Sequence, residues 1–176
     1  PMATILGAAE TLDVTEAGKL DAQQRKLVDI ARRNAHRLGR LIENLIDLSQ
    51  LNAGKFSIFK APLDLRGPVE RVTENLQSTA ARRERRIGLH LPDAAVTVLG
   101  DNDRLEQVFT NLLDNALRFA AGAVIVRCES QPAHAVVTVE DDGPGIAPEL
   151  LPQLFRRFAR LGDTGTKSNM GIGLSI

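Results

Sequence analysis

Cysteine is almost absent: Cys128 stands alone among 176 residues, so no internal disulfide can form and no second thiol is available for a metal site. That composition fits a reducing compartment. Charge of one sign is equally lacking, since 22 lysines and arginines balance 22 aspartates and glutamates. A chain without net charge has no long-range field for holding a polyphosphate backbone, so nucleic acid is not an expected partner. The one local excess, Arg82, Arg83, Arg85 and Arg86, is interrupted by Glu84 and reads as a solvated helix end. No apolar run approaches the roughly 18 residues of a membrane span, and the N-terminus lacks the basic-then-apolar layout of a secretion signal. The residues read as cytoplasmic, with any membrane attachment of a longer parent expected outside this chain. Internal repeats and low-complexity tracts are missing too.

What is present is ordinary globular material. With 43% hydrophobic and 25% charged residues, the length suffices for one well-packed domain plus a smaller helical unit. Pro1 opens directly onto a helical pattern, and Gly173-Leu174-Ser175-Ile176 stops inside what reads as a starting helix, so both ends are expected to continue in a longer protein.

Residues 3 to 12 read as the end of one helix, and Asp13 to Asp21 as the turn after it. From Leu27 the positions Leu27, Ala31, Asn34, Leu38, Leu41, Leu45 and Leu48 follow steps of four and three, the seam of a helix packing on other helices, and Ile30, Ile42 and Ile46 widen it. One hairpin cannot bury so broad a stripe. Two hairpins from two chains can, as a four-helix bundle, so a homodimer is expected; the alternative is a hairpin lying on its own neighbouring domain. Asn52-Ala53-Gly54-Lys55 ends the helix, and Phe56 to Lys60 alternates as a short strand or linker, placing a boundary between a dimerisation unit, 1–59, and a second domain, 60–176. Beyond it the pattern predicts a helix around Leu65 to Arg83, strands near Ile87 to Leu91 and Val96 to Leu99, and a strong helix from Asp103 to Phe119. Strands Ala123 to Glu129 and Ala135 to Asp141 come next. Helices interleaved with adjacent strands able to pair as hairpins predict an α+β fold: a mixed sheet covered by helices on one face.

Three features carry chemistry. On the helix ending at Phe119, Asn111, Asn115 and Arg118 stand at i, i+4 and i+7 on one stripe, while Leu105, Phe109, Leu112 and Ala116 point elsewhere. Amide oxygens suit magnesium and a guanidinium suits phosphate, although a solvated helix face has the same pattern. Next, β-branched Val136-Val137-Thr138-Val139 runs into Asp141-Asp142-Gly143-Pro144-Gly145-Ile146, setting a carboxylate at a strand end beside two glycines that permit close backbone approach. Such a carboxylate can accept from the exocyclic amine of adenine, with Ile146 as an apolar wall; a D-x-G-x-G stretch can also be only a tight turn. Third, Phe155 and Phe158 anchor a polar stretch with Gly162, Gly165 and Lys167, before Gly171-Ile172-Gly173-Leu174 opens a helix. This suits a mobile lid whose helix-end amides hold phosphates. Gly162 to Ser168 is not a phosphate loop of the G-x-x-x-x-G-K-S/T kind, because Thr166 separates Gly165 from Lys167, and Gly171-x-Gly173 lacks the preceding strand of a dinucleotide fingerprint.

In this order, N-L-L-D-N-A-L-R-F at 111 to 119, D-D-G-P-G-I at 141 to 146, L-F-R-R-F at 154 to 158 and G-I-G-L at 171 to 174 resemble the N, G1, F and G2 boxes of the sensor histidine kinase ATP-binding domain, a relative of the gyrase-type ATPases. The resemblance covers essentially the whole chain. It implies a Bergerat-type α/β sandwich after the bundle, with ATP and magnesium as ligands. It further implies that Asn115 coordinates magnesium, that Asn111 and Arg118 approach magnesium and phosphates, and that Asp141 reads the adenine amine. Arg160 would reach the terminal phosphate from the lid. Phe119, Ile146 and Leu174 would line the nucleotide pocket, and Gly143, Gly145, Gly171 and Gly173 would shape it. Pro1 to Gly7 resembles the stretch directly after the H-E-x-R-T segment of the phospho-acceptor box, so the acceptor histidine is expected five residues before Pro1. His36 matches the second bundle helix, where no phosphorylation is expected, and His90 and His134 read as structural or exposed. Arg118, where lysine is common, and Asn169-Met170, where glycine and a small hydroxyl residue are usual, depart from the pattern. The implied activity is phosphoryl transfer from Mg-ATP to a histidine, then to an aspartate of a response-regulator receiver domain. Two alternatives stand beside it: a gyrase-type ATPase, which commonly has a glutamate base where this chain has Asn111, and a pseudokinase serving as a dimeric interaction module.

Overall fold

The structure is a computed structural model that describes Gly7 and residues 20–154. The stretch read as the first bundle helix, apart from Gly7, and the segment holding Phe155, Phe158, Arg160, Gly171, Gly173 and Leu174 lie outside the described residues. Contacts divide the chain into two units, the division falling between Phe56 and Ser57.

The first unit contains α1, Ala22–Asn52. Asp21 starts it: the carboxylate accepts from the amides of Gln23 and Gln24 at 2.8 and 2.7 Å, while Gln24 Oε1 accepts from the Asp21 amide at 2.9 Å. This reciprocal box occupies helix-end donors that have no partner within the helix. Gly54, at φ 64, turns the chain out at the other end. Leu27, Ile30, Leu38, Ile42, Leu45 and Ile46 are all exposed along α1, Leu27 and Leu45 by 64% and 63%.

In the second unit, β1 (Ala61–Asp64), α2 (Arg66–Arg82), β2 (Arg86–His90), β3 (Thr97–Gly100), α3 (Asn102–Phe119), β4 (Ala123–Ser130) and β5 (Ala135–Asp141) precede a 3-10 turn at Pro148–Gln153. β1 and β3 form an antiparallel pair, while β2, β4 and β5 form a mixed sheet, β2–β4 parallel and β4–β5 antiparallel. The expected β4–β5 hairpin is present. The neighbours β2 and β3 do not pair with each other, because each finds a more distant partner: Arg86 aligns with Ala123, and Gly100 with Ala61. The run from Phe56 to Lys60 is linker, and the strand begins only at Ala61. Pro62 is tolerated there because, among the described residues, β1 has a single neighbour, and proline is confined to such edge strands.

One face of the mixed sheet is covered by α2 and α3. Every second residue of β4, Val124, Val126 and Cys128, is buried, and from α3 come Phe109, Leu113, Ala116 and Leu117 at helical spacing. Val69 and Val72 of α2 complete the main cluster with Leu65 and Val96. Burial in this core pushes the Cys128 thiol up, keeping it protonated. Asp101 caps α3 by accepting from the Arg104 amide at 3.3 Å and also ties down the linker through the Phe59 amide at 2.9 Å.

Candidate nucleotide site

The site grows from the last turns of α3. Phe109, Leu113, Ala116 and Leu117 fix the roll of the helix by filling the core, so the stripe of Asn111, Asn115 and Arg118 falls at the edge of the packed face. Asn111 and Asn115 are half-buried, and Arg118 and Phe119 are exposed. The Arg118 guanidinium lies over the Phe119 ring, 4.4 Å from its centre. Partial burial lowers the Arg118 pKa, with the field of Arg83 in the same sense and that of Asp114 opposing, yet arginine remains a cation. Asp114 itself, with a side chain only 18% exposed, is 3.2 Å from an Arg83 nitrogen at the end of α2. The basic cluster thus supplies one helix-to-helix tie.

At the end of β5 the chain meets α3. A Cβ at Gly143 would sit 2.5 Å from the carbonyl oxygen of Phe119 and 2.6 Å from Asp141 Oδ1, contacts that no side chain can make. Glycine here permits the approach of the D-x-G-x-G loop to the helix C-terminus. Gly145, at φ 72, has the left-handed backbone that favours glycine, with open space around it. Asp141 Oδ1 accepts from the Gly143 amide at 2.9 Å, and no hydrogen bond engages Oδ2 among the described residues. Ile146 is exposed beyond it. Of the predicted residues, Asp141, Gly143 and Phe119 are in direct proximity, and Asn115 and Arg118 occupy the turn that ends at Phe119. Arg160, Gly171, Gly173 and Leu174 lie outside the described residues.

Sequence reasoning misses Asp142. Its Oδ1 accepts from the Gly122 amide at 2.9 Å and its Oδ2 from the Ala123 amide at 3.0 Å. The Gly122 bond, then the Ala123 bond, hold the carboxyl below the usual carboxylate range. The doubling of aspartate at a strand end is the available signal. A separate concavity, lined by Asp64, Arg66, Gly67, Glu70 and Leu91, contains none of the predicted site residues.

Among the described residues no group of three His, Cys, Asp or Glu side chains could hold a metal. Nor is any described helix long and apolar enough to cross a membrane.

Residues 1–54 match the His Kinase A (phospho-acceptor) domain, and residues 100–176 match the Histidine kinase-, DNA gyrase B-, and HSP90-like ATPase family. The sensor histidine kinase TmoS of Ectopseudomonas mendocina is 31% identical over 179 residues, covering 100% of this chain and 18% of TmoS. The signal transduction histidine-protein kinase BaeS of Escherichia coli K12 is 33% identical over 141 residues, covering 79% of this chain and 30% of BaeS. The crystal structure of full-length ShkA in complex with AMPPNP superposes with a TM-score of 0.72 at 28% identity, over 99% of this chain and 36% of ShkA. The chain therefore spans less than a third of the length of either curated relative. With an acceptor-domain match followed by an ATPase-domain match, and a sensor histidine kinase relative aligned across its length, the chain belongs to the sensor histidine kinases of two-component systems.

Proposed function

We propose that this chain is the dimerisation and ATP-binding core of a sensor kinase. It binds Mg-ATP, and its parent moves the γ-phosphoryl group to a histidine of the dimerisation domain and from there to an aspartate of a response-regulator receiver domain. Residues 1–59 serve as the dimerisation hairpin and residues 60–176 as the nucleotide-binding domain. The reading is carried by one observation: Asp141 offers, at a strand end, a carboxylate oxygen that no hydrogen bond engages among the described residues, where Gly143 lets the loop touch the C-terminus of the helix bearing Asn111, Asn115 and Arg118.

The residues fit the nucleotide. Asp141 accepts from the adenine amine, Ile146 and Phe119 supply apolar surface, and Gly145 leaves space for the ligand. Asn115 offers its amide oxygen to magnesium, while Asn111 and Arg118 approach the metal and phosphates. Bound magnesium neutralises phosphate charge that would otherwise oppose attack by the imidazole. Arg160, Gly171, Gly173 and Leu174 are assigned to the lid side of the same pocket. The chain's own contribution is position and charge, which is what phosphoryl transfer most requires.

Asp141→Asn tests this with little change of shape, because it turns one acceptor oxygen into a donor facing adenine's own donor. Titration calorimetry with Mg-ADP is expected to show a loss of about 2 kcal/mol, roughly 30-fold in Kd. Unchanged affinity would refute the assignment of Asp141 and the pocket built around it.

A further inference from the structure

Asp141 ends β5 and Asp142 follows it, and the two adjacent carboxylates are used differently. Asp141 pairs with Val124 in the last register position of the β4–β5 ladder. One residue later the backbone must leave the sheet to form the glycine loop. Asp142 continues the attachment past that point: its two carboxylate oxygens take the amides of Gly122 and Ala123, and its own amide donates to the Ala123 carbonyl at 3.3 Å. One bond goes to Gly122, in the segment joining α3 to β4, and two go to Ala123, the first residue of β4. They fix where the loop departs relative to the end of α3, and the fit is close, since Gly143 leaves no room for a Cβ against Phe119. A Cβ at Gly122 would already stand 3.4 Å from Asp142 Oδ2.

We propose that Asp142 is a positioning residue for adenine recognition: without touching the base, it holds the free oxygen of Asp141 at a set offset from the C-terminal turn of α3, and so contributes to discrimination between adenine and guanine nucleotides. This rests on the nucleotide-binding reading above. The physical basis is that a charge-assisted acceptor bridging two amides is stronger and more directional than a neutral one. Those same amides favour its charged form. A residue that only strengthens the fold would share the hydrogen bonds but not the effect on selectivity.

The test is a double-mutant cycle on the chain, with Mg-ADP and Mg-GDP as probes in titration calorimetry and thermal unfolding followed alongside. Asp142→Ala is expected to weaken Mg-ADP about tenfold, while the weaker Mg-GDP affinity changes little, so the ADP/GDP ratio contracts. In the Asp141→Asn background the same change is expected to cost less than about twofold, because the group being positioned is already spoiled. Asp142→Asn keeps one acceptor oxygen and the side-chain volume, and is expected to fall between the wild type and Asp142→Ala; it decides the matter if the alanine variant does not unfold cooperatively. A lowered melting temperature with an unchanged ADP/GDP ratio overturns the proposal, and so does an equal loss in both backgrounds. A wild-type chain that does not bind Mg-ADP overturns the nucleotide reading itself and the proposal with it.

Discussion

Asp64 draws together the start of α2 and the approach to β3. Its carboxylate accepts from the Arg66 side chain at 2.7 Å and from the amides of Arg66 and Val96 at 3.2 and 3.1 Å, while Arg66 reaches on to the Asp93 carbonyl at 2.6 Å. The Arg66 side-chain bond is the largest cause that lowers the Asp64 pKa from 3.8 to about 2. A folded-state pKa below the unfolded value means stability that is fully present above the unfolded pKa and is lost as pH falls through the folded one. Urea midpoints measured from about pH 5 down to about pH 2 are therefore expected to fall less steeply for Asp64→Asn than for the wild type. Equal slopes would show that the pair forms without linkage to folding. The group is solvent-accessible, so the difference is expected to be modest and to shrink with salt.

α1 presents a different balance, with apolar side chains left in water along much of its length. Leu38, Ile42, Leu45 and Ile46 are 50%, 41%, 63% and 49% exposed, and burying side chains of this size contributes roughly 1.5–3 kcal/mol each. A second copy of the helical unit is the partner proposed for that stripe. Leu41→Glu with Leu45→Glu would bury unpaired charge in such a bundle, so light scattering is expected to report monomers for the variant and dimers for the parent. A parent chain already monomeric at high micromolar concentration would remove the bundle. Helices are the legible elements: α1 and α3 follow from apolar spacing and from Gly54 after α1, and the structure adds local caps, Asp21 with Gln24 and Asp101 ahead of α3. β1 is not legible, because four residues containing a proline carry almost no period and the partner is β3, beyond both α2 and β2. The bonding of Asp142 is hidden for the same reason, since its amide partners are 19 and 20 residues earlier in the chain. The nucleotide residues are legible only as a constellation; each box alone is compatible with a solvated helix or a turn.

For the whole molecule, the decisive measurement is covalent. On the proposed reading, a form of the chain extended to carry the expected phospho-acceptor box ahead of Pro1 acquires acid-labile label from γ-labelled ATP. The label should disappear when the upstream histidine is replaced and fall strongly with Asn115→Ala, because magnesium orients the phosphates for in-line attack. His36→Gln is expected to leave the label in place; its loss in a dimeric, folded protein would move the acceptor to α1. Absence of any label in a nucleotide-binding dimer would favour the pseudokinase alternative. Topology adds something about how such a protein is made. β2 and β4 are parallel neighbours, and the segment between them contains all of α3. On the ribosome, where chains emerge from the N-terminus, α3 is therefore available before the strand that seats it, and Asp141 and Asp142 are synthesised later still. A nascent chain ending at Phe119 holds Asn111, Asn115 and Arg118 of the proposed pocket with nothing to read the base. Competence for adenine recognition thus requires synthesis through the loop after β5, long after the helix that names the site has emerged.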